Sequence, residues 1–295
     1  MIRTKIIADS IYESDIDNKQ HRVTTFELEY PRYIHSELKT HRVFSSNSAS
    51  SRAIPIERMI ELTTDNPVIP MWTLNQKGMS GIAITDEDKL ELANAVWLDA
   101  LSNAVKSVEK LNDLGIHKQN ANRLLEPFQH IKTILTGTDF ENFFNLRIAP
   151  EAQPEIELLA ESMKKDYENS KPVKLITHKL HCPYFKNVSV YDMPTILTSV
   201  ALCAQVSYRK ENKDPDTVRR IINRLMGCSR IHASPFEHVC MPNVFGFIPR
   251  GNLDGYVQLR HKVEDMKTGI DNRMKFNPDT DYYDELIRLG KIIWL

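Results

Sequence analysis

The chain has 295 residues, 41% of them hydrophobic and 26% charged, and its 38 Lys+Arg nearly cancel 39 Asp+Glu for a formal charge of -1. It is long enough to bury a sizeable core, and the charge balance leaves no overall cationic field for DNA, RNA or an anionic membrane. Any anion it binds must be gripped locally.

The opening MIRTKIIADSIYES has no apolar region behind its basic residues, so no signal peptide is expected. No apolar run reaches membrane-spanning length. The cysteines Cys182, Cys203, Cys228 and Cys240 show no disulfide-framework spacing, which makes a reducing, cytoplasmic setting the expectation. His178, His181 and Cys182 in THKLHC have a metal-like look. No second pair follows at finger spacing, so packing or exposure is the favoured reading over zinc.

In chain order, Val23, Thr25, Phe26 and Leu28 suggest a strand that Pro31 stops, with Pro31 then opening a helix through Ile34 and Leu38. His41 and Arg42 fall at that helix's end, before a serine-rich loop, SSNSASS. A long helix is predicted from Asp86 to Leu114, opened by Thr85-x-x-Asp88 as a capping-box variant and closed by Gly115. Pro154 starts a helix running to about Met163. The Lys-, Pro-, Asn- and His-rich stretch 169–193 reads as a connection between halves 1–168 and 194–295. The second half carries helices at about 194–206 and 216–228, then HASPFEH at 232–238 and QLRHK at 258–262. Mostly helical periods with few strands predict an α+β fold.

Arg42, Arg52, Arg123 and Arg147 sit among small polar residues, away from obvious acidic partners. A guanidinium forms a bidentate fork on phosphate, and serine hydroxyls and loop amides can complete a cradle. For any one of these arginines a plain surface role is the simpler reading; for Arg52, within SASSR, the two readings balance. Neither GxGxxG nor GxxxxGK[ST] occurs, so no Rossmann fingerprint or P-loop is available.

Thr40-His41-Arg42, seven residues, Ser50, then Arg52 resembles the signature of the flavin-dependent thymidylate synthases, the ThyX family. The preceding strand-Pro-helix lead-in, Arg123 with Pro127, and Asn142 through Arg147 followed by Ala152-Gln153 resemble later family blocks. Val206-Ser207-Tyr208 and HASPFEH resemble the stretch that normally opens such a chain, and Tyr256–Lys262 a second, imperfect copy of the Arg-His-Arg helix. The resemblance therefore implies ThyX-like helices packed on small antiparallel sheets, with family elements in permuted order and partly duplicated.

It further implies reductive methylation of dUMP at C5 to dTMP, with FAD as hydride carrier and NADPH and methylenetetrahydrofolate as co-substrates, in a homo-oligomer with shared sites. By the same correspondence Arg147 and Ser50 are the catalytic candidates. Ser50, Arg52, Arg123, Arg147 and Glu37 would bind the nucleotide. His41, Arg42, Val43, Asn142, Ser207, His232, Ser234 and Glu237 would bind the flavin. The chain departs from the pattern at Thr40, which replaces the first arginine, at Ser48 for a usual glutamate, Glu37 for a usual glutamine and Glu151 for a frequent histidine. One expectation is that Arg260, from the second copy, restores the charge lost at Thr40. Two rival readings stay open: the same chemistry on another pyrimidine nucleotide such as dCMP, and a non-catalytic flavin- or nucleotide-binding protein.

Overall fold

The computed structural model describes residues 2–77, 81–176, 178–207, 211–227, 231–247, 250–268, 280–290 and 293–294. Tyr208 and Cys228 lie outside them. In chain order the elements are β1 (Arg3–Glu13), β2 (Gln20–Pro31), α1 (His35–Leu38), β3 (Ser45–Ser48), α2 (Ile56–Asp65), β4 (Thr73–Leu74), β5 (Ile82–Ala83), α3 (Glu87–Asp113) and α4 (Lys118–Ala121). There follow β6 (His130–Gly137), α5 (Glu141–Arg147), α6 (Pro154–Asn169), β7 (Val173–Lys174), α7 (Met193–Ala204) and α8 (Pro215–Met226). The described chain closes with β8 (Cys240–Pro242), β9 (Tyr256–Gln258), α9 (Leu259–Thr268) and α10 (Tyr282–Leu289).

The architecture is α+β. Its main sheet has five strands in the order β3-β6-β2-β1-β7, and β4-β5 and β8-β9 form small two-stranded sheets. In the main sheet β1, β2, β3 and β6 pair antiparallel as expected, and the short β7 adds a parallel pairing with β1. Part of the segment expected to be a serine-rich loop is its edge strand: Ser45 to Ser48 pair antiparallel with Thr136 to Thr133. The backbone makes the ladder, which leaves the short serine hydroxyls to bond neighbouring side chains.

Period-2 alternation gives the sheet two different faces. Phe26, Leu28, Tyr30 and Leu135 pack with Phe143, Phe144, Ile156 and Leu159 of α5 and α6. Each fully buried side chain of this kind contributes about 1.5–3 kcal/mol. On the opposite face Ile134 meets Cys203 and Val206, and Thr25 and Thr136 hydrogen-bond each other at 2.7 Å. The second half, with its own core of Ile196, Val200, Ile222, Phe236, Leu259 and Trp294, covers that face. Leu180, Cys182, Val188 and Val190, from the expected connection, belong to the same core.

His181 is fully buried, with Nε2 2.7 Å from the Thr25 hydroxyl and Nδ1 3.0 Å from that of Ser10. It is thus a packing histidine, and among the described residues no His/Cys/Asp/Glu group suits a metal ion. No described helix is long and apolar enough to cross a membrane. The long helix α3 is capped by Asp86, whose side chain accepts from the Lys89 N–H at 3.1 Å, in place of the expected Thr85 box. α6 runs on to Asn169, beyond the expected end.

Candidate functional site

The first copy of the His-Arg segment is aimed by local chemistry. Pro31, which lacks an N–H, ends β2 opposite His130. A single 3-10 turn at Arg32–Ile34 and the short α1 then reverse the chain. The Thr40 hydroxyl donates to the Glu37 carbonyl at 2.7 Å, closing the helix end. His41 is buried edge-on against Phe143 with ring centroids 4.9 Å apart. Phe44 packs beside it, where Gly137 leaves room: a Cβ there would lie 2.7 Å from the Phe44 ring.

Arg147, at the end of α5, reaches back to this turn. Its Nε donates to His41 Nε2 at 2.9 Å, Nη1 donates to Glu37 Oε1, and Nη2 reaches the Thr40 hydroxyl at 3.3 Å. His41 must therefore be neutral and protonated on Nδ1. Burial, with the Arg147 charge beside it, holds its imidazole below the ordinary histidine range. The expectation that Arg147 lies away from acidic partners is corrected, since Glu37 forms an ion pair with it. A carboxylate replaces water around a half-buried guanidinium that would otherwise bear its desolvation alone.

A second cluster forms across the signature loop. Arg52 and Arg123, both exposed, line an open pocket of about 440 Å³ with Gln119 and Asn120. Arg123 too has an acidic partner, Glu126 at 2.9 Å, which also receives Arg32 at 2.8 Å and the Ser51 hydroxyl at 3.2 Å. Asn122, fully buried, holds the loop by donating to the carbonyls of Ser51 and Ile54 at 2.8 and 3.0 Å. Nothing in the sequence reading singled out Asn122, Arg32 or Glu126. Their adjacency to Arg123 and Pro31 was the available signal.

The remaining expected residues divide between surface and seam. Arg42 and Val43 are exposed beside a cavity of about 250 Å³ lined by Lys39, His41, Arg42, Phe44 and Ser46. Asn142, Glu151 and His232 are exposed and apart from these clusters' bonds. Ser207, Ser234 and Glu237 are engaged inside the chain. The Ser207 hydroxyl accepts from the Ser50 N–H at 3.1 Å, Ser234 donates to Asn47 Oδ1 at 3.2 Å, and Glu237 pairs with Arg260. Asn47 in turn donates to the Cys203 carbonyl at 2.8 Å. The strand β3 thus alternates in role: Ser45 and Asn47 bind the second half, while Ser46 and Ser48 bond Lys39 and Thr133 of the first.

The second copy closes against that strand. Gln258 donates to the Ser45 hydroxyl at 2.9 Å and to the Glu237 carbonyl at 3.0 Å. Arg260 is bound by both Glu237 and Glu264, so it does not supply the charge missing at Thr40. Two carboxylates on one guanidinium leave a wall, with no spare positive charge.

The description "Thymidylate synthase complementing protein" belongs to a family model that matches residues 17–173, more than half of the chain. The chain belongs to this family. The ThyX match takes in β2, the signature, the Arg52/Arg123 pocket and Arg147. Two solved structures of a UMP/dUMP methylase PolB from Streptomyces cacaoi are similar to it. The one bound with 5-Br UMP is 19% identical, with 57% of this chain and 88% of that chain covered at a TM-score of 0.45. The one bound with 5-Br dUMP is 16% identical, with 57% and 90% covered at a TM-score of 0.43. No curated protein matches. As a ThyX-family member the chain is a thymidylate synthase-like, flavin-dependent methyltransferase acting at pyrimidine C5.

Proposed function

We propose that the chain reductively methylates a pyrimidine deoxynucleotide monophosphate at C5, with dUMP as the family's substrate, methylenetetrahydrofolate as carbon donor and NADPH-reduced FAD as hydride source. The observation that carries this reading is the Arg147 cluster. A half-buried cation, pinned by His41, Glu37 and Thr40, keeps N–H donors free for the base edge. Donors fixed in advance on the pyrimidine oxygens stabilise charge pushed into the ring and so raise the nucleophilicity of C5. Arg52 and Arg123 would take the 5′-phosphate, with Gln119 and Asn120 at the rim.

The flavin fits at His41–Val43. Arg42 is an exposed cation suited to a pyrophosphate, and Val43, 44% exposed, offers an apolar surface to a ring. Ser207, Ser234 and Glu237 fit it less well within one chain, because their polar atoms already have partners. The bound flavin supplies hydride transfer; the side chains bind, orient and exclude water. The base-reading cluster and the phosphate pocket share no lining residue, which favours completion of the site by a second copy of the chain.

The test is the visible spectrum of the purified protein, followed by incubation with NADPH, methylenetetrahydrofolate and dUMP or dCMP, with products weighed by mass spectrometry. A flavin spectrum with a methyl mass gain on one nucleotide is expected. A flavin-free protein that changes neither nucleotide would overturn the proposal, and a flavin-bearing but inert one would favour the binding-protein alternative.

A further inference from the structure

Lys39 ends α1 one residue before Thr40, the position at which the chain lacks the first arginine of its signature. The Thr40 hydroxyl is turned back onto the Glu37 carbonyl at 2.7 Å, and Arg260 is held by two carboxylates, so neither supplies a charge there. Lys39 does reach the cavity beside the signature. With His41, Arg42 and Ser46 it lines that space of about 250 Å³, and the other lining residues, Phe44 and Leu135 among them, are apolar.

The polar members of this wall offer hydrogen-bond donors, and none is an acid. The Lys39 ammonium donates to the Ser46 hydroxyl, which leaves it two further N–H groups and leaves Ser46 its own O–H. His41 accepts from Arg147 at Nε2, and its Nδ1–H is without a partner among the described residues. Arg32, Arg123 and Arg147 each hold a carboxylate, whereas among the described residues no ion pair joins Lys39 or Arg42. The second half fixes the segment: Asn252 accepts from the Ser45 hydroxyl at 2.8 Å and donates to the Arg42 carbonyl at 3.4 Å. Two uncompensated cations beside apolar walls set up a local positive potential. The ligand that answers such a wall is an anion with several acceptor oxygens. The space is smaller than the roughly 300–1,000 Å³ that encloses a drug-sized molecule, and it suits one phosphate-bearing part of a larger ligand.

Resting on the reading that the flavin docks at His41–Val43, we propose that Lys39 stands in for the absent arginine and, with Arg42 and Ser46, grips the flavin's pyrophosphate. Two cations face two negative charges, joined by charge-assisted hydrogen bonds. An ammonium on a flexible four-carbon stem acts as a point charge, so a neighbouring position in the sequence can replace a guanidinium. The nucleotide's 5′-phosphate has its own cations in the Arg52–Arg123 pocket, which shares no lining residue with this one.

The experiment is calorimetric titration of the full chain, freed of flavin, with FAD, riboflavin, inorganic pyrophosphate and dUMP. The natural chain, Lys39→Gln and Lys39→Arg are compared, with circular dichroism to confirm that each is folded. Lys39→Gln should weaken FAD and inorganic pyrophosphate by roughly tenfold to a hundredfold and leave riboflavin and dUMP within about twofold. Lys39→Arg should hold FAD to within about threefold of the natural chain. Arg42→Gln, run in parallel, should show the same split between FAD and riboflavin. An equal loss of FAD and riboflavin in Lys39→Gln would reduce Lys39 to a part of the fold, and a loss of dUMP alone would give the pocket to the nucleotide. Either result, or FAD binding untouched by Lys39→Gln, would overturn the inference. A natural chain that binds no flavin yet holds pyrophosphate through Lys39 would defeat the docking of the flavin and keep the anion pocket; one that binds neither would defeat both.

Discussion

The two Arg-His segments start from related sequences and end with opposite characters. In the first, Arg147 fills the place beside His41, with one carboxylate, one imidazole and one hydroxyl around it and donors to spare. In the second, Arg260 lies between Glu237 and Glu264, while the preceding Gln258 is spent on Ser45 and the Glu237 carbonyl. The difference lies in the ratio of carboxylates to cations. One partner fixes a guanidinium and leaves it useful, whereas two neutralise it and turn the motif into packing. A motif match alone cannot separate these outcomes.

The largest effect expected on this contrast comes from acid, because the closed side depends on neutral buried histidines. His181 and His238 are fully buried, and burial lowers their imidazoles to about 4 and about 3. Unfolded, each would titrate near 6.5. As pH falls below about 6.5 the unfolded chain takes up protons that the folded chain refuses, so stability is complete above that value and drains away towards 4 and 3. Urea midpoints should drop between pH 7.5 and pH 5 by the equivalent of a few kcal/mol, on the order of one for each unit of pKa difference spanned. His181→Gln should flatten that slope, and a midpoint indifferent to pH would break the account of the seam.

Next in size is the open side. Arg52→Ala should weaken binding of a pyrimidine 5′-monophosphate by roughly tenfold to a hundredfold, as expected for one charge-assisted phosphate contact. The corresponding nucleoside should bind the variant and the natural chain alike in titration calorimetry. Arg260→Ala should shift neither affinity, and a phosphate-dependent loss there would erase the distinction between the copies.

The link between the halves should show a smaller change. Asn47→Ala removes the bonds to the Cys203 carbonyl and Ser234 and should cost about 1–3 kcal/mol in denaturant unfolding. Least of all, Asp86→Ala at the start of α3 should cost about 1 kcal/mol without touching nucleotide affinity. An effect of Asp86→Ala on binding would mean that α3 is more than scaffold.

Much of the candidate site was legible because short, separate blocks mark it: the signature, Arg123 and Arg147 each stood out without their partners. The partners were harder to read. Glu37 meets Arg147 across 110 residues of chain, a contact that no pattern of period 2 or 3.6 marks, whereas Glu126 stands three residues after Arg123 and was readable from that spacing. The sheet was the larger omission. In β1 the pairing shifts register between Ile6 and Ala8, so the alternation that marks a strand is broken at its centre. In β6, Thr133 and Thr136 are fully buried, their hydroxyls satisfied by Tyr30, Ser48, Thr25 and His238, and a threonine-rich segment reads as surface unless those partners are known. The strand in SSNSASS hid for the same reason. Helices with ordinary stops, such as α3 and α7, fell where expected to within a residue or two.

The most direct measurement is release of tritium from pyrimidine nucleotides labelled at C5, with methylenetetrahydrofolate, NADPH and FAD present, for the natural chain, Arg147→Ala and Arg260→Ala side by side. Substitution at C5 must expel that label whichever base is preferred. The account predicts release by the natural chain, a fall of about a hundredfold or more in Arg147→Ala, and release by Arg260→Ala within about threefold of the natural rate. No release from any nucleotide, or equal loss in the two variants, would contradict the claim that one Arg-His segment builds the site and the other the wall behind it.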